Sequence, residues 1–438
     1  MKGTVLTGLM LLFSATLGAQ GATAKSPALA PLDALYPDLE KLYLDLHQSP
    51  ELSWHEEKTS AKMAGRLRQL GYEVTERVGG FGVVAVMKNG TGPTVLVRAD
   101  MDGLPVEERT GLPYASKVTT RDDSGATVPV MHACGHDVHM TSLIGAATLL
   151  ARAKDRWRGT LLLVAQPAEE KGGGAAAMIQ DRFFERFPKP AFCIALHDSA
   201  TLPAGQIGYT PGYALANVDS VDITIHGRGG HGSRPESTVD PIVIAARSIV
   251  ALQTIVSREN SPFDPAVVTV GSIHGGTKHN IIPDEVKLQL TVRSYKEEVR
   301  QRVLAAIARI AKAEAAAAGA PREPEVVVSD SGRATYNDPA LSRRVAAALA
   351  KTLGPDRVVE EPPVMGGEDF GEFGLAANAP SFIFWVGGVP KGKYEEVKGD
   401  PTRLPSLHSS LWAPDPEPTL RAGAASLTVA ALELLARP

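Results

Sequence analysis

A chain of 438 residues is long enough for two domains, because single domains typically have about 150 residues. Its 44% hydrophobic and 21% charged residues are typical of a soluble globular protein. The formal net charge of −4, without a basic stripe or a heptad run, gives no reason to expect nucleic acid or an anionic membrane as a partner.

The first residues have the pattern of a secretory signal peptide. Lys2 provides a positive charge, Val5 to Leu17 form a short apolar stretch, and Ala22-Thr23-Ala24 is a plausible cleavage site, with Ala19-Gln20-Gly21 as the alternative. No other apolar run approaches the ~20 residues of a membrane helix. We therefore expect cleavage of about residues 1–24 and export without a membrane contact, into the periplasm if the source is Gram-negative. An uncleaved anchor is the alternative.

Helical and strand patterns open the remaining chain. The predicted elements are helices at 38–47 and 56–70 and strands at 82–87 and 94–99. The two strands are joined by the turn Asn89-Gly90-Thr91-Gly92, which is typical of a hairpin. The second strand runs into Asp100, and the carboxyl ends of buried strands are where open α/β sheets place their sites. A solvated loop is the alternative for this aspartate.

The segment MHACGHDVHM, residues 131–140, holds three of the eleven histidines and one of the two cysteines. In an extended segment His132, Cys134 and His136 would project to one side. His139 follows His136 by one helical turn if a helix begins here. Thiolate and imidazole together suit zinc, and also manganese, nickel or cobalt. A buried cysteine beside hydrogen-bonded histidines is the alternative.

Two further buried strands end in polar residues. The pattern predicts a helix at 141–153 and strands at 160–165 and 192–196, an order typical of a doubly wound sheet. Glu169-Glu170 follow the first strand and His197 follows the second. A metalloenzyme needs one carboxylate as ligand and one free to accept a proton, and at the frayed end of a strand both can reach one cavity. A solvated acidic turn is the alternative.

The two cysteines could form a disulfide in an oxidising compartment. Cys193, however, lies within the apolar strand 192–196, whereas Cys134 lies among histidines. We therefore favour a metal-bound Cys134 and an inert, buried Cys193.

The pattern changes near Pro211-Gly212. The elements that follow are a strand from 218, a helix at 241–256 with Asp240-Pro241 at its start, strands at 266–273 and 285–292, a helix at 296–318 and a strand at 325–329. This β-α-β-β-α-β order is ferredoxin-like. We expect an α/β catalytic domain (25–212 and 333–438) interrupted by a ferredoxin-like α+β domain (213–332).

Six motifs in this chain resemble one family. They are MHACGHDVHM, QPAEE (166–170), Leu196-His197, GRGGHGSRPE (227–236), HNIIPD (279–284) and MGGEDF (365–370). The family is that of the dinuclear-metal amidohydrolases and carboxypeptidases related to aminoacylase, in the branch of hippurate and plant auxin-conjugate hydrolases. The resemblance covers nearly the whole mature chain. It implies that the inserted domain is a lid or dimerisation domain and that the protein is a homodimer or a higher homo-oligomer.

The resemblance also implies two divalent metal ions, Mn²⁺ or Zn²⁺, with Ni²⁺ or Co²⁺ as alternatives. The implied metal ligands are Cys134, His136, Glu170, His197 and His408. Glu169 aligns with the general base.

Four other residues are similar to functional positions of the family. Asp100 matches an acid that often follows a metal-binding histidine, but Arg98 stands in the histidine's place, so we expect Asp100 to support catalysis without binding metal. His231 resembles a catalytic, substrate-binding histidine that reaches the other subunit's active site. Asn280 and Arg293 resemble the groups that bind the substrate carboxylate, a task that suits a planar guanidinium.

The implied activity is hydrolysis of N-acyl or N-aroyl amino acids to a carboxylic acid and a free amino acid. One alternative is an exported metallo-carboxypeptidase or dipeptidase acting on short peptides or cell-wall fragments. Another is a periplasmic binding or metal-buffering protein without catalysis. Glu169 beside Glu170 favours an enzyme, because a binding protein has no use for the extra acid.

Overall fold

A computed structural model describes residues 26–398 and 400–435, so the expected signal peptide lies outside the described residues. The strands are β1 (Glu73–Val78), β2 (Gly82–Asn89), β3 (Thr94–Asp100), β4 (Thr119–Arg121), β5 (Thr127–Pro129), β6 (Gly159–Gln166), β7 (Phe192–Pro203), β8 (Ile207–Tyr209), β9 (Gly212–Leu215), β10 (Asn217–His226), β11 (Gly230–His231), β12 (Ala266–His274), β13 (Ile281–Ile282), β14 (Glu285–Ser294), β15 (Glu325–Gly332), β16 (Thr335–Asn337), β17 (Val358–Glu360) and β18 (Ser381–Val389). The α-helices are α1 (Leu32–Gln48), α2 (Glu57–Gln69), α3 (His136–Arg152), α4 (Gly174–Gln180), α5 (Phe183–Arg186), α6 (Pro241–Thr254), α7 (Glu297–Ala317), α8 (Pro339–Leu353), α9 (Gly371–Ala377), α10 (Lys391–Glu396) and α11 (Pro416–Leu434).

Eight strands form the main sheet, in the order β1-β2-β6-β3-β7-β18-β8-β17. Its centre, β6-β3-β7-β18, is parallel, and the pairs β1-β2, β2-β6 and β18-β8 are antiparallel. Helices α1, α3 and α11 cover one face, and α4 and α9 cover the other. Both faces of the central strands are therefore buried, which explains why these strands read as continuous apolar runs.

The expected hairpin between β2 and β3 is wrong. Strand β6 lies between them, so that Leu162 pairs with Val86 on one side and with Leu96 on the other. The turn at Gly90 does reverse the chain, with a positive φ of 78°. The sequence of a turn carries no information about a third strand that arrives later in the chain and occupies the space between the two.

Residues 217–332 build a second sheet with the order β12-β14-β10-β15, in which all neighbours are antiparallel. If these four strands are numbered 1 to 4 along the chain and the sheet is read from β15 to β12, the order is 4-1-3-2. This is the order of a ferredoxin-like fold, so the predicted fold class is confirmed. Helices α6 and α7 pack on one face and complete a separate core. We call residues 217–332 the inserted unit.

Helix α6 carries an exposed apolar surface. Together with a π-helical continuation it spans Pro241–Glu259, which by length and composition alone could cross a membrane, with a mean hydropathy of 1.3. The expectation that no other apolar run approaches the length of a membrane helix is therefore wrong. Leu252 is fully buried in the core of the inserted unit, whereas Val243 and Val250 are 54% and 72% exposed.

Candidate metal centre

The main sheet gathers the candidate site at the carboxyl ends of its parallel strands. Asp100 ends β3, the adjacent glutamates follow β6, and His197 lies within β7, which continues to Pro203 rather than ending before His197. His408 comes from the loop that precedes α11, where its backbone N–H donates to Ala133 O over 2.8 Å. Ligand-type side chains that are distant in sequence thus meet at one edge of the sheet.

The central motif is a turn and not an extended segment, so the prediction that three of its side chains share one side is wrong. Gly135 has a φ of 71°, and a Cβ there would lie 2.3 Å from the carboxyl carbon of Asp198. Helix α3 then begins at His136, five residues before the predicted start. The tight turn directs Cys134 and His136 to the site, because a left-handed glycine reverses the chain between them.

His132, the first histidine of the motif, does not point to the site with Cys134 and His136. It is buried, and neither ring nitrogen has a hydrogen-bond partner among the described residues. Burial lowers the pKa of His132 to about 4, so the ring is neutral.

The five residues predicted as metal ligands converge. Cys134 Sγ lies 3.5 Å from His197 Nε2 and 3.2 Å from His408 Nε2. Glu170 links His408 to the fifth residue, His136, with Oε2 3.4 Å from His408 Nε2 and Oε1 3.8 Å from His136 Nε2. The donors form overlapping groups, Cys134–His136–His197 and Cys134–Glu170–His408, that share the thiol. Two adjacent cations could therefore occupy this cluster.

The chemistry of this donor set fits divalent metal ions. Thiolate, imidazole and carboxylate are the ligands of zinc and related cations. His136 Nε2 and Glu170 Oε1 are buried without hydrogen-bond partners among the described residues, which is costly unless a cation binds there. Burial, with Glu170 and Asp198 nearby, raises the pKa of the Cys134 thiol, so a cation is needed to hold it as a thiolate. Both cysteines are free, and Cys193 is buried in β7.

The two adjacent glutamates both face the site because the chain leaves β6 through a left-handed residue. Ala168 has a φ of 49°, which breaks the alternation of the strand. Asp102 then accepts the backbone N–H groups of Glu169 and Glu170 over 3.1 and 3.0 Å. As a result Glu169 Oε2 lies 3.9 Å from His136 Nε2. Burial, Glu368 and Glu170 raise the pKa of Glu169.

His139 contacts Asp100 and the backbone of Asp198 beside the site. Its Nδ1 lies 2.6 Å from Asp100 Oδ1, and its Nε2 accepts the backbone N–H of Asp198 over 2.7 Å. The imidazole is therefore neutral with its proton on Nδ1, and neither nitrogen is free to bind a metal.

Sequence reasoning assigned no role to three acids at this site. Asp102 holds residues 168–170, which we call the glutamate turn, through the backbone N–H groups of both glutamates. Glu368 and Asp369 contact the buried guanidinium of Arg98 over 2.8 and 3.2 Å. MGGEDF was recognised as a motif, but nothing in it indicates that its acids pair with an arginine 270 residues away.

The three remaining predicted residues lie on the inserted unit. Arg293 is half-buried, donates to Thr291 Oγ1 over 3.0 Å and forms no ion pair among the described residues. Its Nη1 lies 3.5 Å from the place where a Cβ on Gly367 would stand, so it faces the loop that carries Glu368. Asn280 Oδ1 is buried without a partner in the described chain. His231 is exposed, and its Nδ1 accepts the hydroxyl of Ser233 over 2.7 Å.

The fold is an α/β sheet with helices on both faces, interrupted by a ferredoxin-like unit. Paired carboxylates lie beside cysteine and histidine donors at the edge of this sheet, and this combination is that of a metal-dependent hydrolase. The chain belongs to peptidase family M20/M25/M40, whose family model matches residues 96–401. The family relationship inferred from the motifs is thus confirmed, and the protein is an amidohydrolase.

Individual relatives agree with this assignment. Thermostable carboxypeptidase 2 of Saccharolobus solfataricus is 39% identical over 346 residues, which are 78% of this chain and 84% of the relative. Hippurate hydrolase of Campylobacter jejuni is 39% identical over 345 residues, 77% of this chain and 85% of the relative. The crystal structure of Bacillus subtilis YXEP, a dinuclear metal binding peptidase from the M20 family, has a TM-score of 0.73 and 30% identity and covers 92% of this chain and 99% of that one.

Proposed function

We propose that this protein hydrolyses the amide bond of N-acyl or N-aroyl amino acids, releasing a carboxylic acid and a free amino acid. The observation that carries the proposal is the Glu169 carboxylate, which is 9% exposed and lies beside the donor cluster at 3.9 Å from His136 Nε2. A second acid at this point has no use in metal binding alone, but hydrolysis needs it.

In this proposal Cys134, His136, Glu170, His197 and His408 hold two divalent ions, either Mn²⁺ or Zn²⁺ with Ni²⁺ or Co²⁺ as alternatives. The bound ions would polarise the scissile carbonyl and acidify the attacking water.

Glu169 moves the proton. Its carboxylate accepts a proton from the attacking water, whose oxygen bonds to the carbonyl carbon, and then delivers that proton to the nitrogen as the C–N bond breaks. The raised pKa of Glu169, caused by burial and neighbouring carboxylates, suits a group that must both accept and release a proton.

The substrate carboxylate is bound by the inserted unit. The Arg293 guanidinium is half-buried without an acidic partner in the described chain, and the Asn280 amide oxygen lacks a partner. An unpaired, partly desolvated arginine favours a carboxylate ligand, which it can bind through two parallel hydrogen bonds.

His231 acts, in our proposal, in the active site of a second copy of the chain. Its exposure on the inserted unit supports this role, as does the exposed apolar surface of α6 at Val243 and Val250, which a homodimer would cover. We further propose that the dimer is exported, as the N-terminal sequence predicts.

Carboxypeptidase activity on short peptides is the second candidate, because two relatives are named carboxypeptidases. Both reactions leave a free amino acid that carried the recognised carboxylate. They differ only in the acyl side, where a dipeptidase must accept a charged α-amino group.

The test is amino acid release from benzoylated and acetylated amino acids, compared with release from dipeptides, with Mn²⁺ or Zn²⁺ added. We expect hydrolysis of the acylated substrates, and about a 10³-fold loss of kcat in Glu169→Gln with metal content unchanged. Glu185→Gln, a change at an exposed acid, is the matched control. Hydrolysis of dipeptides alone would establish the second candidate, and a fully active Glu169→Gln variant would refute the mechanism.

A further inference from the structure

The loop between α1 and α2, residues 49–56, is fixed against the end of strand β3. Leu52 forms a β-bridge with Gly103, whose N–H donates to Glu51 O over 2.7 Å. Ser53 Oγ donates to Asp102 Oδ2 over 2.6 Å, and both side chains are buried. The loop therefore contacts the same aspartate that holds the glutamate turn.

Glu56, at the end of this loop, is fully buried and contacts the glutamate turn directly. Its Oε1 accepts the backbone N–H of Ala168 over 2.7 Å, while Oε2 has no hydrogen-bond partner among the described residues. Burying a carboxylate is costly, and the contact with the Ala168 N–H indicates that Glu56 serves the conformation of that backbone.

Ala168 is the residue whose conformation needs support. Its φ of 49° is disfavoured for any residue with a Cβ, and it is this conformation that turns both Glu169 and Glu170 toward the donor cluster. The N–H groups of these three residues are all accepted by two buried carboxylates, Ala168 by Glu56 and the glutamates by Asp102.

We propose that Glu56 is a positioning residue for the hydrolytic reaction: by accepting the Ala168 N–H it holds the left-handed turn that aims the Glu169 carboxylate at the site. The inference rests on the proposed function, in which Glu169 is the base. What the site requires of Glu56 is the acceptor oxygen, because Oε1 makes the contact and Oε2 makes none.

Two substitutions separate the acceptor from the charge. Glu56→Ala removes the acceptor, and we expect kcat to fall by about 100-fold with KM and bound metal nearly unchanged, since small misplacements of a catalytic group have effects of this size. Glu56→Gln keeps an acceptor oxygen of the same reach and should restore kcat to within several-fold of the wild type. Glu51→Ala is the matched control, because Glu51 is in the same loop but caps α2 through the Thr59 N–H.

A readout independent of activity is hydrogen exchange of the peptide covering residues 166–174. We expect faster exchange at Ala168 in Glu56→Ala, and wild-type protection in Glu56→Gln and Glu51→Ala. In an Ala168→Gly background, where the left-handed conformation is no longer disfavoured, Glu56→Ala should cost kcat at least several-fold less.

The proposal is overturned if Glu56→Ala leaves kcat and exchange unchanged, or if Glu56→Gln is as defective as Glu56→Ala in both. Failure of the proposed function gives a different result. In that case the wild-type enzyme releases no amino acid from any acylated substrate, while the exchange experiment still tests the contact between Glu56 and Ala168.

Discussion

Arg98 Nη1 lies 2.6 Å from Asp100 Oδ2, and both side chains are fully buried. The other oxygen of Asp100 receives the His139 contact, so both oxygens are engaged by the protein. Burial alone would raise the pKa of the Asp100 carboxyl, but the positive charge of Arg98 holds this pKa well below its usual range. The pairing supports the expectation that Asp100 assists the site without binding a metal, because both carboxylate oxygens already have protein partners.

Removing the guanidinium should destabilise the protein strongly. In Arg98→Met, three buried acids, Asp100, Glu368 and Asp369, lose their common positive partner, and we expect a loss of about 3–5 kcal/mol in the free energy of unfolding. Urea unfolding measures this loss of stability. Arg109→Met, which removes an exposed ion pair with Glu107, should change stability by less than about 1 kcal/mol. Equal effects of the two substitutions would contradict the buried network.

The sequence predicted the parts of the fold that depend on local patterns. Alternating and continuous apolar runs located the strands. The order of strands and helices identified the ferredoxin-like unit, since that unit is formed by one uninterrupted stretch of the chain. It could not predict that β6 separates β2 from β3, because strand neighbours depend on long-range pairing.

The candidate site follows the same division. The residue types and the spacing of Cys134, His136 and the glutamate pair indicate metal chemistry. The backbone support is invisible in such patterns: Ala168 has no side chain that signals a left-handed turn, and Glu56 contacts it from 112 residues away.

Asp102 should control the metal centre through the backbone. Its two oxygens accept the N–H groups of Glu169 and Glu170, and Oδ1 also lies 3.3 Å from His136 Nδ1. Asp102→Asn replaces one of these acceptors by a donor. We expect metal affinity to fall by about 10- to 100-fold, as for other groups that orient ligands. Metal competition titration measures it, with the exposed Asp155→Asn as control. Unchanged affinity in Asp102→Asn would argue against this role.

His47 should make the stability of the protein depend on pH. Its ring lies 2.6 Å from Asp137 and 3.2 Å from Glu108, all three side chains are buried, and although burial alone lowers its pKa, the two acids raise it to about 10. A histidine whose pKa is higher in the folded than in the unfolded state stabilises fully below about pH 6.5 and loses this contribution as the pH rises through 10.

We therefore expect His47→Gln to lower the free energy of unfolding by about 3 kcal/mol at pH 6, and by clearly less at pH 10. Urea unfolding of both proteins across this range measures the difference. His55→Gln, at an exposed histidine paired with Asp123, should show no such trend. A difference that stays constant from pH 6 to pH 10 would mean that His47 is not charged in the folded state.

The two cysteines offer a matched pair for testing the metal centre. Cys134 lies between His197 and His408, whereas Cys193 is buried in β7 among apolar side chains, where burial raises the pKa of its thiol to about 12.

Metal that binds only the folded protein stabilises it, so adding Mn²⁺ or Zn²⁺ to metal-depleted wild-type protein should raise Tm. In Cys134→Ala the rise should shrink and at least one ion per chain should be lost, because the thiol is shared by both donor groups. Cys193→Ala should lower the starting Tm through lost packing but keep the full metal-induced rise. Full metal binding in Cys134→Ala would show that the Cys134 thiol does not hold the ions. An equal loss of metal in Cys193→Ala would show that the loss is not specific to the thiol in the cluster.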